Sequence, residues 1–449
     1  MREAVDGIRS STQDRRPNPL ASRIRLSARL VLLAGILFVV GLCGTAIAVG
    51  GDVSTLTAMR SMLPPGHYLV LLQNNAELRP SGGFIGSFAT VDIGNMGIRQ
   101  YLIDTNIYKR DNAFTEQHTI QPPPALSQMA PGLRWAMRDA NWDIDFRDAA
   151  QRVAWFYEQE GGEHVDGVVA VNASVAQDVL RLTGPISVDH LDDTLSADSF
   201  FPLLAKEVEQ DYFKDPTQQV ANEPKSILKG VLRALVVESS RPAVAVKLPS
   251  LLQQELIEKQ IQLFHTEPVV EARILRNNWG GAIDQSSGDY LLLNNASVGG
   301  MKSSLFVGQE TAIDITQLPD GSMKHVLSIT RTHTGTGVWP DYRNNNYIRV
   351  AVPIGSSLEG AVLNGQPVQD VDTTVEAQKT VFGTRFDTDP GHTSILQLTY
   401  LTPPSHESGP FTLHFQKQSG TLVEQLRVTL NGNTLIENNA VETDLQISQ

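Results

Sequence analysis

The sequence predicts an α/β protein in three parts: an N-terminal transmembrane helix, a layered α/β domain, and a C-terminal all-β sandwich-like domain. Three observations carry this. Residues 30–51 form one uncharged apolar run behind a basic arm. From about 60 to 280, short apolar runs alternate with helix-length segments, the pattern of a layered α/β unit. From about 285 to 445, helical periodicity fades and short β-rich runs alternate with turn signals, the pattern of a β-sandwich. With 449 residues and 41% hydrophobic content, the chain can fill sizeable cores, which excludes disorder as its main state.

The arm at 1–29 holds seven Arg against Glu3, Asp6 and Asp14, a net charge of +4. Leu30 to Gly51 then runs without a charge, and at 1.5 Å per residue it covers the ~30 Å hydrocarbon core. Arg on one side and Asp52 on the other predict a cytoplasmic N-terminus and an extracytoplasmic bulk at the cell membrane. A cleavable signal peptide ending at Ala46-Ile47-Ala48 is the competing reading. The net charge of −13 argues against nucleic-acid binding. One Cys, Cys43, excludes an internal disulfide and any Cys-based zinc site.

In the α/β part, His67 to Leu72 reads as a buried strand. Ser87–Ile93 and Ile98–Ile103 read as a hairpin through Gly94 to Gly97. Asp145 is placed to cap a helix from Phe146 to Glu160, ended by Gly161-Gly162. Val165–Val171 is strand-like, Ala173–Leu182 helical, and Ile186–Val188 extended. Further helices are expected at Ala197–Tyr212, Lys225–Glu238 and Ser250–Phe264. In the β-rich part, Pro319-Asp320-Gly321, Asn364-Gly365, Asp389-Pro390-Gly391 and Asn431-Gly432 mark turns, and Asn-Gly is a strong hairpin signal. Tyr68–Ala76 echoes Tyr290–Ala296: each is an apolar strand leaving into Asn-Asn.

The densest polar cluster, Gln73 to Ser87, follows the first strand, where open α/β sheets place ligand sites. Arg79 can grip a phosphate or carboxylate in two-pronged fashion, and Gly82-Gly83 lets amides turn toward an anion. The bland alternative is a Glu77–Arg79 pair holding a tight glycine turn. Around it, Asn75, Ser81, Gly82, Gly83, Arg138 and Asn141 join Arg79 as candidate ligand-binding residues. Asp139, Asn141, Asp143 and Asp145 alternate like the start of an EF-hand loop, but Ile144 and Ala150 stand where the turn Gly and bidentate Glu belong. Asp104, Asp139 and Asp143 are the candidate ligands for a different metal site, with Mg²⁺ the candidate ion. Asp104 ends a strand, where it serves as a base or as a routine turn residue. No G-x-S-x-G, H-E-x-x-H, Walker A or G-x-G-x-x-G pattern is present.

Tyr68 through Ser87, Arg138-Asp139-Ala140-Asn141-Trp142, Ala154 through Glu158, and Val165–Val171 through Ile186 together resemble a bacterial membrane-anchored family known only as domain of unknown function 4012. That likeness spans roughly 60–440 and implies no reaction. A fainter pattern is similar to LytR-CpsA-Psr proteins: one span, a strand, Glu77-x-Arg79, a hairpin, and a strand ending at Asp104. Ile103 stands where that family has an Arg, and Glu223-Pro224-Lys225-Ser226 replaces its Arg-rich helix start. This resemblance implies handling of a lipid-pyrophosphate-linked envelope glycopolymer, with Glu77, Arg79 and Asp104 as catalytic residues and Mg²⁺ on the phosphates. The alternative is a non-catalytic envelope scaffold or glycan/protein-binding module. The expected partners are the membrane, through residues 30–51, and an envelope glycan or lipid-linked precursor.

Overall fold

The computed structural model describes residues 60–95, 97–189, 191, 193–211, 227–404, 409–421 and 424–449. The basic arm and predicted span lie outside the described residues, and among these no helix is long and apolar enough to cross a membrane.

The protein is a mixed α/β structure built on three mixed sheets. The first sheet has five strands: β1 (Gly66–Arg79), β2 (Gly82–Gly94), β3 (Gly97–Asp104), β4 (Gly167–Asn172) and β5 (Ile261–His265). They lie in the order β3-β2-β1-β4-β5, with β1 and β4 parallel and every other pair antiparallel. Alternation along the strands splits the apolar residues between two faces. Tyr68, Val70, Val91 and Val169 pack on one face, against helices α4 (Ala173–Thr183), α6 (Ile227–Ser239) and α8 (Leu248–Ile257). Leu69, Leu71, Phe88 and Val168 pack on the other, against α3 (Phe146–Gln159) and the Trp135–Trp142 segment. Shorter helices are α1 (Ile107–Thr115), α2 (Pro124–Met129), α5 (Phe200–Lys206), α7 (Pro242–Ala245) and α9 (Pro268–Arg276).

The remaining strands fall within 289–448 and form a seven-stranded and a six-stranded sheet. Leu293, Ile348, Val350 and Phe415 of the smaller sheet meet Ile313, Leu327, Leu398 and Val428 of the larger across one apolar core. Asn364-Gly365 and Asn431-Gly432 form the tight hairpin turns their sequence predicts, joining Leu363 to Gln366 and Leu430 to Asn433.

Asp145 caps α3 as expected: its side chain accepts from Arg147 N at 2.9 Å. Three expectations need correction. The segment 250–264 is not one helix, because Lys259 adopts φ 58° and the chain restarts as β5. That left-handed residue is held by its ammonium, 2.7 Å from Asp444 and bonded to the Lys417 carbonyl. The expected helix at 197–212 is α5 followed by a wide π-turn at Glu207–Asp211 within the described residues. The first strand does not stop at Leu72. It continues to Arg79 and turns back through Pro80-Ser81 into β2, so the polar cluster lies inside a hairpin.

Candidate functional site

That hairpin decides what the cluster can do. Arg79 pairs with Gly82 and Leu78 with Gly83 in the ladder, so the two glycines belong to an antiparallel pair rather than to an open anion nest. Gly83 has a steric reason to be glycine: a Cβ there would lie 2.2 Å from the Asn74 carbonyl carbon. Arg79 is buried. Its guanidinium meets Asp139 at 3.2 Å, donates to Ser297 O at 2.5 Å, and lies over the Phe84 ring. Ser81 donates to Asn141 O, and Asn141 donates to Gly83 O. Asn75 donates to Gly420 O and accepts from Ser174 N. These expected ligand-binding side chains are therefore spent on joining elements of the fold.

The expected metal trio does not form. Asp104 pairs with Arg110, Asp139 with Arg79 and Arg138, and Asp143 with Arg152 at 2.6 Å. Among the described residues no group of three or more His, Cys, Asp and Glu is arranged to hold a metal ion. An Mg²⁺ site at these carboxylates does not fit, since each already neutralises a guanidinium. The expected catalytic trio is likewise divided: Arg79 faces Asp139, Asp104 faces Arg110, and Glu77 pairs with Lys302.

What the structure places beside this cluster is a cavity of about 630 Å³. It opens between the sheet and the α4–α6 layer, at the C-terminal ends of the parallel strands β1 and β4. One wall is apolar, with Val175 of α4, Phe200 and Leu204 of α5, and Val231 and Leu235 of α6. The sheet side is mixed, with Leu72, Phe84, Val171 and Ala173 beside Gln73, Ser87 and Asn172. Gln73 and Asn172 are register partners across β1 and β4, and Ser87 stands opposite Leu72 on β2. A bulge at this level leaves Gly86 unpaired between Ile85 and Ser87. Bulges of this kind re-aim side chains.

The rim carries Glu77, Tyr108, Glu209 and Lys302. Lys302 pairs with both Glu77 and, at 2.8 Å, Glu209. Burial opposes its charge, but the two carboxylates outweigh it and hold its pKa above the ordinary lysine value. Tyr108 is also shifted up, by burial first and then by Glu77. Arg138 stacks on Tyr108 and binds Asp111 at 3.0 Å. Glu77, Arg79, Arg138 and Asp139 thus gather at or just behind the Phe84–Tyr108 wall of the cavity, while Asp104 and Asp143 are held by other partners. Lys302, Glu209 and Asn172 carry no motif. Only the position of Asn172, last on a strand and just before a helix in an α/β sheet, pointed to a ligand.

Comparison with known proteins adds a family but no reaction. Residues 64–208 match the family described as a protein of unknown function, DUF4012, a shorter stretch than the 60–440 expected. No curated protein matches the chain. A putative nutrient binding protein from Legionella pneumophila aligns at 11% identity, over 36% of this chain and 71% of its own, with a TM-score of 0.25. An M1 zinc metallopeptidase from Deinococcus radiodurans aligns at 16% identity, over 34% of this chain and 40% of its own, with a TM-score of 0.15. Scores this low carry no argument about fold or activity. The likeness to LytR-CpsA-Psr proteins rests on the sequence pattern alone.

Proposed function

We propose that this protein is a membrane-anchored, extracytoplasmic binding protein of the bacterial envelope whose ligand is an amphiphile, such as a lipid-linked glycan precursor. The apolar chain occupies the cavity between the sheet and the α4–α6 layer, and the polar head sits at the Gln73–Lys302 side. The cavity carries this reading. Its 630 Å³ falls in the usual range for small-molecule sites, and its mostly apolar lining ends at a charged rim of Glu77, Glu209 and Lys302. Binding is favoured over the LytR-CpsA-Psr-like transfer that the sequence pattern implies. Arg79, the residue expected to grip a phosphate, is engaged by Asp139 and Ser297, and the three expected metal ligands are engaged by arginines.

Purified full-length protein should bind a pyrene-labelled dodecyl chain, read by pyrene fluorescence. Ala176→Phe, which adds bulk to the cavity wall, should weaken binding at least tenfold with the melting temperature held. Equal binding by the wild type and the filled variant would sink the reading.

A further inference from the structure

The cavity is shared between the two halves of the chain. Three of its lining residues, Met301, Lys302 and Trp339, come from the β-rich half, far beyond the matched family segment that ends at residue 208. They sit on two loops that brace each other. Met301 forms a bridge with Asp341, and Lys302 N donates to Pro340 O at 3.1 Å. The Asp341 carboxylate, buried, accepts from Thr336 N and Gly337 N, and its own amide donates to Val338 O at 2.9 Å. His333 accepts from Gly335 N through Nδ1, which leaves Nε2 to donate to Tyr342 O at 2.9 Å. The loop that carries Trp339 is thus tied down on both sides of it. Met301 adopts φ 52°, a left-handed conformation that is costly for a bulky side chain. Such backbone persists only where its surroundings fix it, and it clusters at ligand clamps.

The charges at this rim disfavour two kinds of head group. Lys302 is held between Glu77 and Glu209, one cation against two carboxylates, a net charge of −1. A phosphate would have to displace both carboxylates from Lys302. An ammonium would find both carboxylates already held and would stand beside the lysine. A neutral hydroxyl leaves the three charges as they are. Glu209 Oε2 is buried and has no hydrogen-bond partner among the described residues, so it still calls for a donor, which a hydroxyl supplies. Trp339, half-buried, adds a flat apolar face with one N–H at its edge. A sugar ring matches both features, with C–H groups on its face and hydroxyls around its edge.

We infer that Trp339 and Met301, together with the Glu77–Lys302–Glu209 chain, form a subsite for a carbohydrate head group, so that the β-rich half sets the head-group specificity of the cavity. The inference rests on the amphiphile reading above. The indole takes the face of the sugar ring, and ring hydroxyls donate to the rim carboxylates. The alkyl chain then lies inward, against Leu204 and Val231.

The test displaces the pyrene-dodecyl probe from the full-length protein with competitors of equal chain length. These are dodecyl maltoside, monolauroyl glycerol, dodecyl phosphate, dodecyltrimethylammonium and, as the reference, dodecanol, each used below its critical micelle concentration or solubility limit. The maltoside should displace the probe at least tenfold more effectively than any of the others. Trp339→Leu should bring that preference over dodecanol, measured in the same protein, down to about threefold or less. Trp339→Tyr, which keeps a ring, should restore most of it. A second reading does not depend on the leucine variant folding. Without the probe, the maltoside should shift the tryptophan emission of the wild type, and Trp339→Tyr should lose that shift. The phosphate, the trimethylammonium or the glycerol ester matching the maltoside would overturn the inference and leave the amphiphile reading standing. So would a preference that survives in Trp339→Leu, or an emission shift that survives in Trp339→Tyr. Failure of the probe itself to bind would remove the amphiphile reading instead.

Discussion

The Arg79 guanidinium and the Asp139 carboxylate meet at 3.2 Å inside the protein, each side chain only 5% exposed. The pair joins the β1–β2 hairpin to the loop before α3. A third bond, from Arg79 to Ser297 O, ties both to the β-rich half. Removing one partner of such a pair leaves a buried charge uncompensated, at about 3–5 kcal/mol. Arg79→Ala should therefore lower unfolding free energy by that amount in urea. Arg79→Met combined with Asp139→Leu should recover most of it. An Arg79→Ala protein as stable as wild type, but deficient in ligand binding, would return Arg79 to the ligand.

The buried carboxyls predict a pH dependence. Glu160 is pushed up to about 8, by burial first and then by Asp111 beside it. Glu255 is pushed up to about 9, by burial and then by Asp178. Each binds its proton more readily in the folded chain than in the unfolded one, where the ordinary value is 4.5. The resulting stability is whole below that value and is lost as the pH climbs through 8 and 9. His265, held below its ordinary value chiefly by burial, acts in the opposite direction on the acid side of that value. The melting temperature should fall between pH 7 and 9, and Glu160→Gln and Glu255→Gln should flatten that fall. A midpoint that holds level across this interval in the wild type contradicts the assignment.

Gly83→Ala tests the hairpin. The added methyl would stand 2.2 Å from the Asn74 carbonyl carbon and 2.3 Å from the Asn75 nitrogen, both backbone atoms that cannot swing aside. Overpacking of this kind costs typically about 1–3 kcal/mol, and the backbone clash places this case at the upper end. Urea denaturation should show it. A loss below half a kilocalorie would mean the hairpin can open without cost to the fold.

Asp145→Ala tests the joint between the two halves. Asp145 caps α3 through Arg147 N, and its other oxygen accepts from Ile283 N at 3.1 Å. Loss of the cap and of that bond should cost about 2 kcal/mol together. Asp145→Asn keeps one acceptor oxygen and so only one of the two bonds, and should lose less than Asp145→Ala. Equal losses in the two variants would count against the cap.

Much of the fold is legible in local pattern. The cap at Asp145, the alternation in β1 and β4, and the Asn-Gly hairpins all follow from short stretches of sequence. The site is less so. Glu77, Arg79, Arg138 and Asp139 were recognisable as a dense polar cluster, and they do gather near the cavity. Their partners are set by distance in sequence: Lys302 reaches Glu77 across 225 residues and Ser297 reaches Arg79 across 218. No local pattern reveals that an exposed-looking arginine will be neutralised from so far away. Gln73 and Ser87 lie within the conspicuous run, yet the register that sets them on opposite faces of the sheet, bulge included, shows only in the strand pairing. The echo between Tyr68–Ala76 and Tyr290–Ala296 has a spatial counterpart. Both Asn-Asn pairs lie at the junction of the halves, where Asn294 donates to Pro80 O and Asn75 to Gly420 O.

The segment around Gln418 also bears on how the chain is made. Its side-chain amide donates to the Arg79, Pro80 and Asn295 carbonyls, the first of them 339 residues earlier. During synthesis the hairpin emerges long before this amide exists. At roughly 5–20 residues per second, its carbonyls wait about twenty seconds to a minute for their partner. The hairpin therefore spends its early life hydrated, and the junction closes as one of the last acts of translation. A ribosome stalled before Gln418 would hold a chain whose β1–β2 hairpin is made but not yet tied to the β-rich half through this amide.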